Sequence, residues 1–188
     1  MHTAYIGMGS NLASPAGDPE QTLAAAADRL QSLGRIAARS SLYSTDPVGF
    51  ADQPRFLNAV IALQTDLAPR ALLQGLLRIE QEFGRDRSSG LRNGPRTLDL
   101  DILVYGDKQI SEPGLEIPHP RMEEREFVVI PLLELASNVP TTEPPEAIRR
   151  LLRTSFGTSP GQSHAVIPVQ SAVWRAHGFR NADASAID

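Results

Sequence analysis

No cysteine occurs among the 188 residues, so disulfides and thiolate metal sites are excluded. Long apolar runs are missing as well: none reaches the roughly 20 residues needed to cross a bilayer. Nor is there an excess of positive charge. The net charge is −4, which argues against a protein whose main task is gripping nucleic acid. The N-terminal residues Met1-His2-Thr3-Ala4-Tyr5-Ile6 lack a charged leader followed by a sustained apolar run. What is present is 41% hydrophobic residues, enough for an ordinary core. The expectation is a monomeric cytoplasmic protein of one domain plus a terminal segment, with no membrane or nucleic-acid partner.

The most informative stretch runs from Gly94 to Gly106 and contains Asp99 and Asp101 inside an apolar, strand-like run. Side chains alternate in a strand, so Leu98, Leu100, Ile102 and Val104 should face one way and Asp99, Asp101, Leu103 and Tyr105 the other. The two carboxylates then stand roughly 6–7 Å apart at Cβ, given a rise of about 3.3 Å per residue. Like charges so close on an apolar strand call for a cation between them. Mg²⁺ commonly takes one or two carboxylates and completes its shell with water and substrate phosphates. A buried acid pair neutralised by arginines is the competing reading.

Hydrophobic spacing predicts a strand over 3–8, a helix over 19–33 and a strand over 36–45. After a Pro/Gly/Asp loop over 46–54 come a strand over 56–65, a helix over 69–83 and the aspartate strand. The order β-α-β-β-α-β predicts an α+β, ferredoxin-like sandwich with its helices on one face of an antiparallel sheet. Further helices are expected over 123–136, interrupted by Pro131, and over 146–153. Residues 1–154 form the expected domain, and residues 155–188, rich in Gly, Ser, Pro and Ala, a weakly structured tail.

Arg85, Arg87, Arg92 and Arg96 crowd the loop that leads into the carboxylate pair, against a single acid, Asp86. Such a loop is either a solvated basic surface or half of a polyphosphate site, with metal ions as the other half. His119 lies between Pro118 and Pro120, which stiffen the backbone and fix where the imidazole points. Phe56 and Phe127 are placed either to pack in the core or to stack on a flat heterocycle, and Asn58 shares a strand face with Phe56.

With these residues in place, the chain resembles the 6-hydroxymethyl-7,8-dihydropterin pyrophosphokinases of folate biosynthesis. The matching segments are Tyr5-Ile6-Gly7-Met8-Gly9-Ser10-Asn11-Leu12, Asp52-Gln53-Pro54-Arg55-Phe56-Leu57-Asn58-Ala59, Gly94 to Asp101, and Ile117-Pro118-His119-Pro120. The resemblance implies transfer of the β,γ-diphosphate of ATP to the pterin hydroxymethyl oxygen, with release of AMP. It also implies two Mg²⁺ ions on Asp99 and Asp101, and Arg85 and Arg96 as arginines that assist transfer. By the same resemblance Glu80, Arg87, Ile102, His119 and Arg125 contact ATP. The pterin is expected between Phe56 and Phe127, with Asn58 and the backbone near Thr45 and Val48 reading its amide edge.

The chain departs from the family pattern at three positions. Asn93 stands where some members carry a lid tryptophan, Phe56 where some carry tyrosine, and Asp46 where proline is common. Two rival readings remain open on the residues alone. Ferredoxin-like sheets also serve as RNA-binding modules, and Asp-x-Asp pairs also serve other metal-dependent transferases.

Overall fold

Strand β1 (His2–Ser10) runs through the centre of a six-stranded antiparallel sheet, flanked by β4 (Phe56–Thr65) and β5 (Asp99–Tyr105). The order continues from β4 to β3 (Leu42–Thr45) and then β8 (Ile167–Val169), while β2 (Arg35–Arg39) also pairs with β4. The computed structural model describes residues 1–87, 93–136, 144–155 and 166–176.

Helices α1 (Pro19–Leu30) and α2 (Pro69–Glu82) cover one face of the sheet, burying Leu23, Leu30, Leu72 and Leu76 against Ile6, Ile61 and Leu100. Asp18 caps α1 and closes a reciprocal pair with Gln21, and Pro19 fits the first turn, where its missing N–H has no intrahelical partner to lose. The helix ends at Leu30 rather than at 33, and residues 31–33 form a turn. The opposite face is half covered by α3 (Glu126–Ala136) and α4 (Glu146–Ser155), which pack Val128, Leu132, Ile148 and Leu151 on Tyr5, Val60 and Ala62. Helices thus lie on both faces, not one.

Three local differences from the sequence pattern have physical causes. The expected strand over 36–45 is split in two at Ser40 and Ser41, where the Ser40 hydroxyl replaces a ladder partner by accepting from Val60 N at 2.9 Å. In β5 the alternation fails at Leu103: Ile6 pairs with Ile102 and Tyr5 with Val104, so one extra residue bulges. Val104 therefore joins Leu103 on the α3 side, and Tyr105 turns to the α1 side, where its hydroxyl donates to Leu67 O at 2.6 Å. Helix α3 passes through Pro131 unbroken and forgoes only the bond that the Phe127 carbonyl would have accepted.

Four elements fall outside the predicted set. A hairpin of β6 (Ile110–Glu112) and β7 (Leu115–Ile117) follows β5. Within the segment expected as a weakly structured tail, β8 extends the sheet and α5 (Ala172–Ala176) packs beside α1. The rest of that tail lies outside the described residues, as does Arg92.

Candidate active site

On the sheet face that α3 and α4 partly cover, two cross-strand rows run out from beneath α3 to the acids. One reads Tyr43, Asn58, Gly9, Asp99; the next reads Val60, Gly7, Asp101. Paired residues in an antiparallel ladder project to the same side, so the two acids face glycines and their flank is open. The space is tight: a Cβ at Gly9 would sit 3.1 Å from Asn58 Oδ1, and one at Gly7 3.3 Å from the Leu103 side chain, so either neighbour would have to give way by a few tenths of an ångström.

Arginines gather over the acids. Arg85 Nη2 lies 3.6 Å from Asp99 Oδ1, and Arg96 Nε lies 3.3 Å from Asp99 Oδ2. Neither Nε has a hydrogen-bond partner among the described residues, and Thr97 Oγ1 is likewise unpaired. A guanidinium has five N–H donors, so one carboxylate leaves most of this capacity free for an anion. Asp101 is pushed up to about 6, first by burial and then by the Asp99 charge, against the pull of Arg125 and Arg96. Among the described residues no group of three His, Asp or Glu side chains forms a closed metal cage. Two carboxylates with open flanks are the donor set of a hard cation that draws its other ligands from water and phosphate.

Beside the acids lies a hollow lined by Thr45, Val48, Phe56, Asn58, Arg96 and Phe127. It adjoins a second hollow over Asp99 and Asp101, and the two share Asn58, Arg96, Arg125 and Phe127. Asn58 is buried and donates through Nδ2 to Thr45 Oγ1 at 2.7 Å. The Arg96 guanidinium lies 4.8 Å from the Phe56 ring centre, and that of Arg125 lies 5.6 Å from Phe127. Each aromatic thus carries a cation at its face, and both border one slot.

The remaining expected residues sit around this centre. Glu80 is 1% exposed and ties α2 to β5: Oε1 accepts from Leu100 N at 2.8 Å, and Oε2 accepts from Arg87 Nε at 3.1 Å. Burial raises its carboxyl above the usual range, against the pull of Arg87. The Ile102 side chain is buried in the core under α1 and α2, so only its backbone is left to meet a ligand. His119 reaches the edge of β5 because its backbone N–H donates at 2.8 Å to Leu103 O, the carbonyl at the bulge. Its Nδ1 accepts from Arg121 N at 3.2 Å, which leaves Nε2 as the ring nitrogen open to a ligand; burial, then Arg125 and Arg121, lowers its pKa. It borders a separate cleft of about 640 Å³ between Gly106 and Arg150.

Asn11 and Gln53, which no reading of charge or spacing selects, hold the loops together. Asn11 accepts from Arg96 N at 2.8 Å through Oδ1 and donates at 3.0 Å both to Gln53 Oε1 and to Pro54 O. Gln53 in turn donates to Phe50 O and, at 2.9 Å, to Asn93 O. Asn93 has a φ of 58°, a left-handed conformation that Asn tolerates, and stands at the rim of the aromatic hollow. Arg121 lines the same hollow and was also missed. The signal for Asn11 and Gln53 lay in the quoted motifs, but their roles needed the contacts.

Residues 5–137 match the family described as 7,8-dihydro-6-hydroxymethylpterin-pyrophosphokinase. A Pseudomonas aeruginosa protein named 2-amino-4-hydroxy-6-hydroxymethyldihydropteridine pyrophosphokinase is 49% identical over 137 residues, which are 72% of this chain and 81% of that one. The Bacillus subtilis protein of the same name is 44% identical over 138 residues, 72% and 79% of the two chains. Among solved structures, wild-type Plasmodium falciparum HPPK-DHPS with pterin and p-hydroxybenzoate shares the fold, with a TM-score of 0.59 at 15% identity. That match covers 82% of this chain, which spans 42% of the larger protein. Two acids opposite glycines, arginines with spare donors and an aromatic slot lie within the matched residues, and the chain belongs to the 7,8-dihydro-6-hydroxymethylpterin-pyrophosphokinase family.

Proposed function

We propose that Asp99 and Asp101 hold two Mg²⁺ ions against the phosphates of ATP, and that the slot between Phe56 and Phe127 takes the pterin. The reaction is that of the family: the chain is a pyrophosphokinase of folate biosynthesis, acting on ATP and 6-hydroxymethyl-7,8-dihydropterin. The hydroxymethyl oxygen bonds to the β-phosphorus as the bond from that phosphorus to the α,β-bridging oxygen breaks; AMP leaves with the bridging oxygen, and the hydroxyl proton passes to solvent. The observation that carries the reading is the row Asn58, Gly9, Asp99, which sets the amide of the aromatic slot beside the acid pair on one open floor.

Arg85 and Arg96 bring unpaired N–H donors to the side of Asp99 and stabilise charge on the moving diphosphate. Arg125 bridges the two hollows and spreads positive charge along the same path. His119, whose Nδ1 is taken by Arg121 N, offers its Nε2–H to a phosphate oxygen, while Glu80 holds Arg87 and the start of β5 in position and Ile102 offers backbone groups. Asn58, fixed by Thr45, reads the pterin edge together with the backbone near Thr45 and Val48. Bound Mg²⁺ would neutralise the phosphate oxygens and acidify the substrate hydroxyl, so no strong protein base is required.

With β2 and β3 counted as one broken strand, the sheet order and the β-α-β-β-α-β succession support a ferredoxin-like fold for the unit that carries the chemistry, residues 1–154. The same reading makes the enzyme a cytoplasmic monomer with small-molecule partners. No described helix is long and apolar enough to cross a membrane. Equilibrium binding of a non-hydrolysable ATP analogue tests the metal reading. Tight binding should require Mg²⁺, titrate with two ions per nucleotide, and be lost in Asp101→Ala; binding indifferent to Mg²⁺ would overturn it.

A further inference from the structure

Beyond the residues that match the family, the chain returns to its own sheet at the strand that carries Thr45. Strand β8 pairs with the outer edge of β3, placing Val169 opposite Leu42 and Ile167 opposite Ser44. The chain then turns at Ser171, and α5 delivers Trp174 into the core at 4% exposure. The indole Nε1–H donates to Ser40 O at 2.9 Å. Arg39 lies across the ring, 4.9 Å from its centre, and donates to Trp174 O at 3.0 Å. Ser171 Oγ receives Trp174 N at 2.8 Å and donates to Glu20 on α1.

The grip falls on a weak point. Strand β3 is four residues long and starts at the Ser40–Ser41 break, where regular pairing with β4 is interrupted. Short edge strands open at low free energy, because few contacts are lost when they fray. Here the break is held from both sides of the sheet. Trp174 binds Ser40 O from the α1 side, and on the α3 side Glu134 accepts from Ser41 N, Ser41 Oγ and Tyr43 Oη. The far end of the same strand is Thr45, whose hydroxyl fixes the Asn58 amide. Ile167 pairs with Ser44, one residue before it.

We infer that Trp174 is a positioning residue: with β8 it clamps β3 so that Thr45 and Asn58 are set for the pterin before it binds. This rests on the reading that Asn58 faces the pterin. Preorganisation of this kind acts on affinity for the ligand whose contacts are ordered, here the pterin and not ATP.

Steady-state kinetics of full-length variants test the clamp, with KM measured separately for each substrate. Trp174→Ala should raise the pterin KM about tenfold and leave the ATP KM within about twofold. Trp174→Phe keeps the packing and loses only the donor to Ser40, and should raise the pterin KM about threefold with the same selectivity. Amide exchange at Leu42 and Ser44 should quicken in both. A lower melting temperature with both KM values unchanged, or equal rises in both, would overturn the inference. Should Trp174→Ala fail to fold, the pterin KM of Trp174→Phe decides alone. Asn58→Ala separates the two levels: an unchanged pterin KM there would defeat the pterin reading itself. A raised one alongside unaffected Trp174 variants would defeat only the clamp.

Discussion

Gly9 stands directly across the β1–β5 ladder from Asp99, and the absence of a side chain at that point leaves the acid's flank open toward Asn58. An added Cβ would lie 3.1 Å from Asn58 Oδ1 and 3.9 Å from Asp99 Cβ. Gly9 lies within a regular strand, so alanine meets no backbone objection. We expect Gly9→Ala to fold normally and to lose at least about tenfold in kcat/KM, because it displaces the amide beside the acid pair. Wild-type turnover in this variant would show that the floor tolerates a methyl group.

The acid pair makes a pH-dependent prediction for the ligand-free protein. Asp101 is raised from 3.8 to about 6 by burial and by Asp99. A carboxyl with a raised folded pKa contributes stability that is fully present below the unfolded value and is lost as pH rises through the folded one. Asp101→Asn should therefore be more stable than wild type by on the order of 2 kcal/mol at about pH 7.5, and no more stable at about pH 4. Denaturant unfolding at the two pH values checks this; an equal effect at both would mean that Asp101 carries no such strain.

Arg96 is held by Asn11 through its backbone N–H and lies between Asp99 and the Phe56 ring. If it stabilises charge that develops during transfer, Arg96→Ala should lower kcat by roughly a hundredfold or more and move the ATP KM by less than about threefold. A large change in KM with kcat preserved would recast it as a ground-state clamp.

Phe127 lies in the first turn of α3 and lines the same hollow as Phe56. Phe127→Ala should raise the pterin KM by about tenfold or more while sparing ATP binding, since stacking area is lost on one side only. Equal loss for both substrates would point to a packing defect in α3.

The element order and the acid strand were legible because period-2 and period-3.6 patterns are strong over β4, β5, α1 and α2. The bulge at Leu103 was not, since nothing in an unbroken apolar run marks where one residue is skipped. Its consequences are the exchanged faces of Val104 and Tyr105 and the carbonyl that anchors His119. Asn11 and Gln53 also escaped, because their value lies in backbone partners forty or more residues away, Pro54 and Arg96 for Asn11 and Asn93 for Gln53. Residues 166–176 read as tail on composition, yet one buried indole and three strand residues join them to the core.

The most direct test of the whole account follows the fate of ATP when the protein is given Mg²⁺ and 6-hydroxymethyl-7,8-dihydropterin. We predict one AMP for each pterin diphosphate formed, no nucleotide turnover without the pterin, and no product from folded Asp99→Ala or Asp101→Ala. ADP as the product, or full activity in either variant, would contradict it.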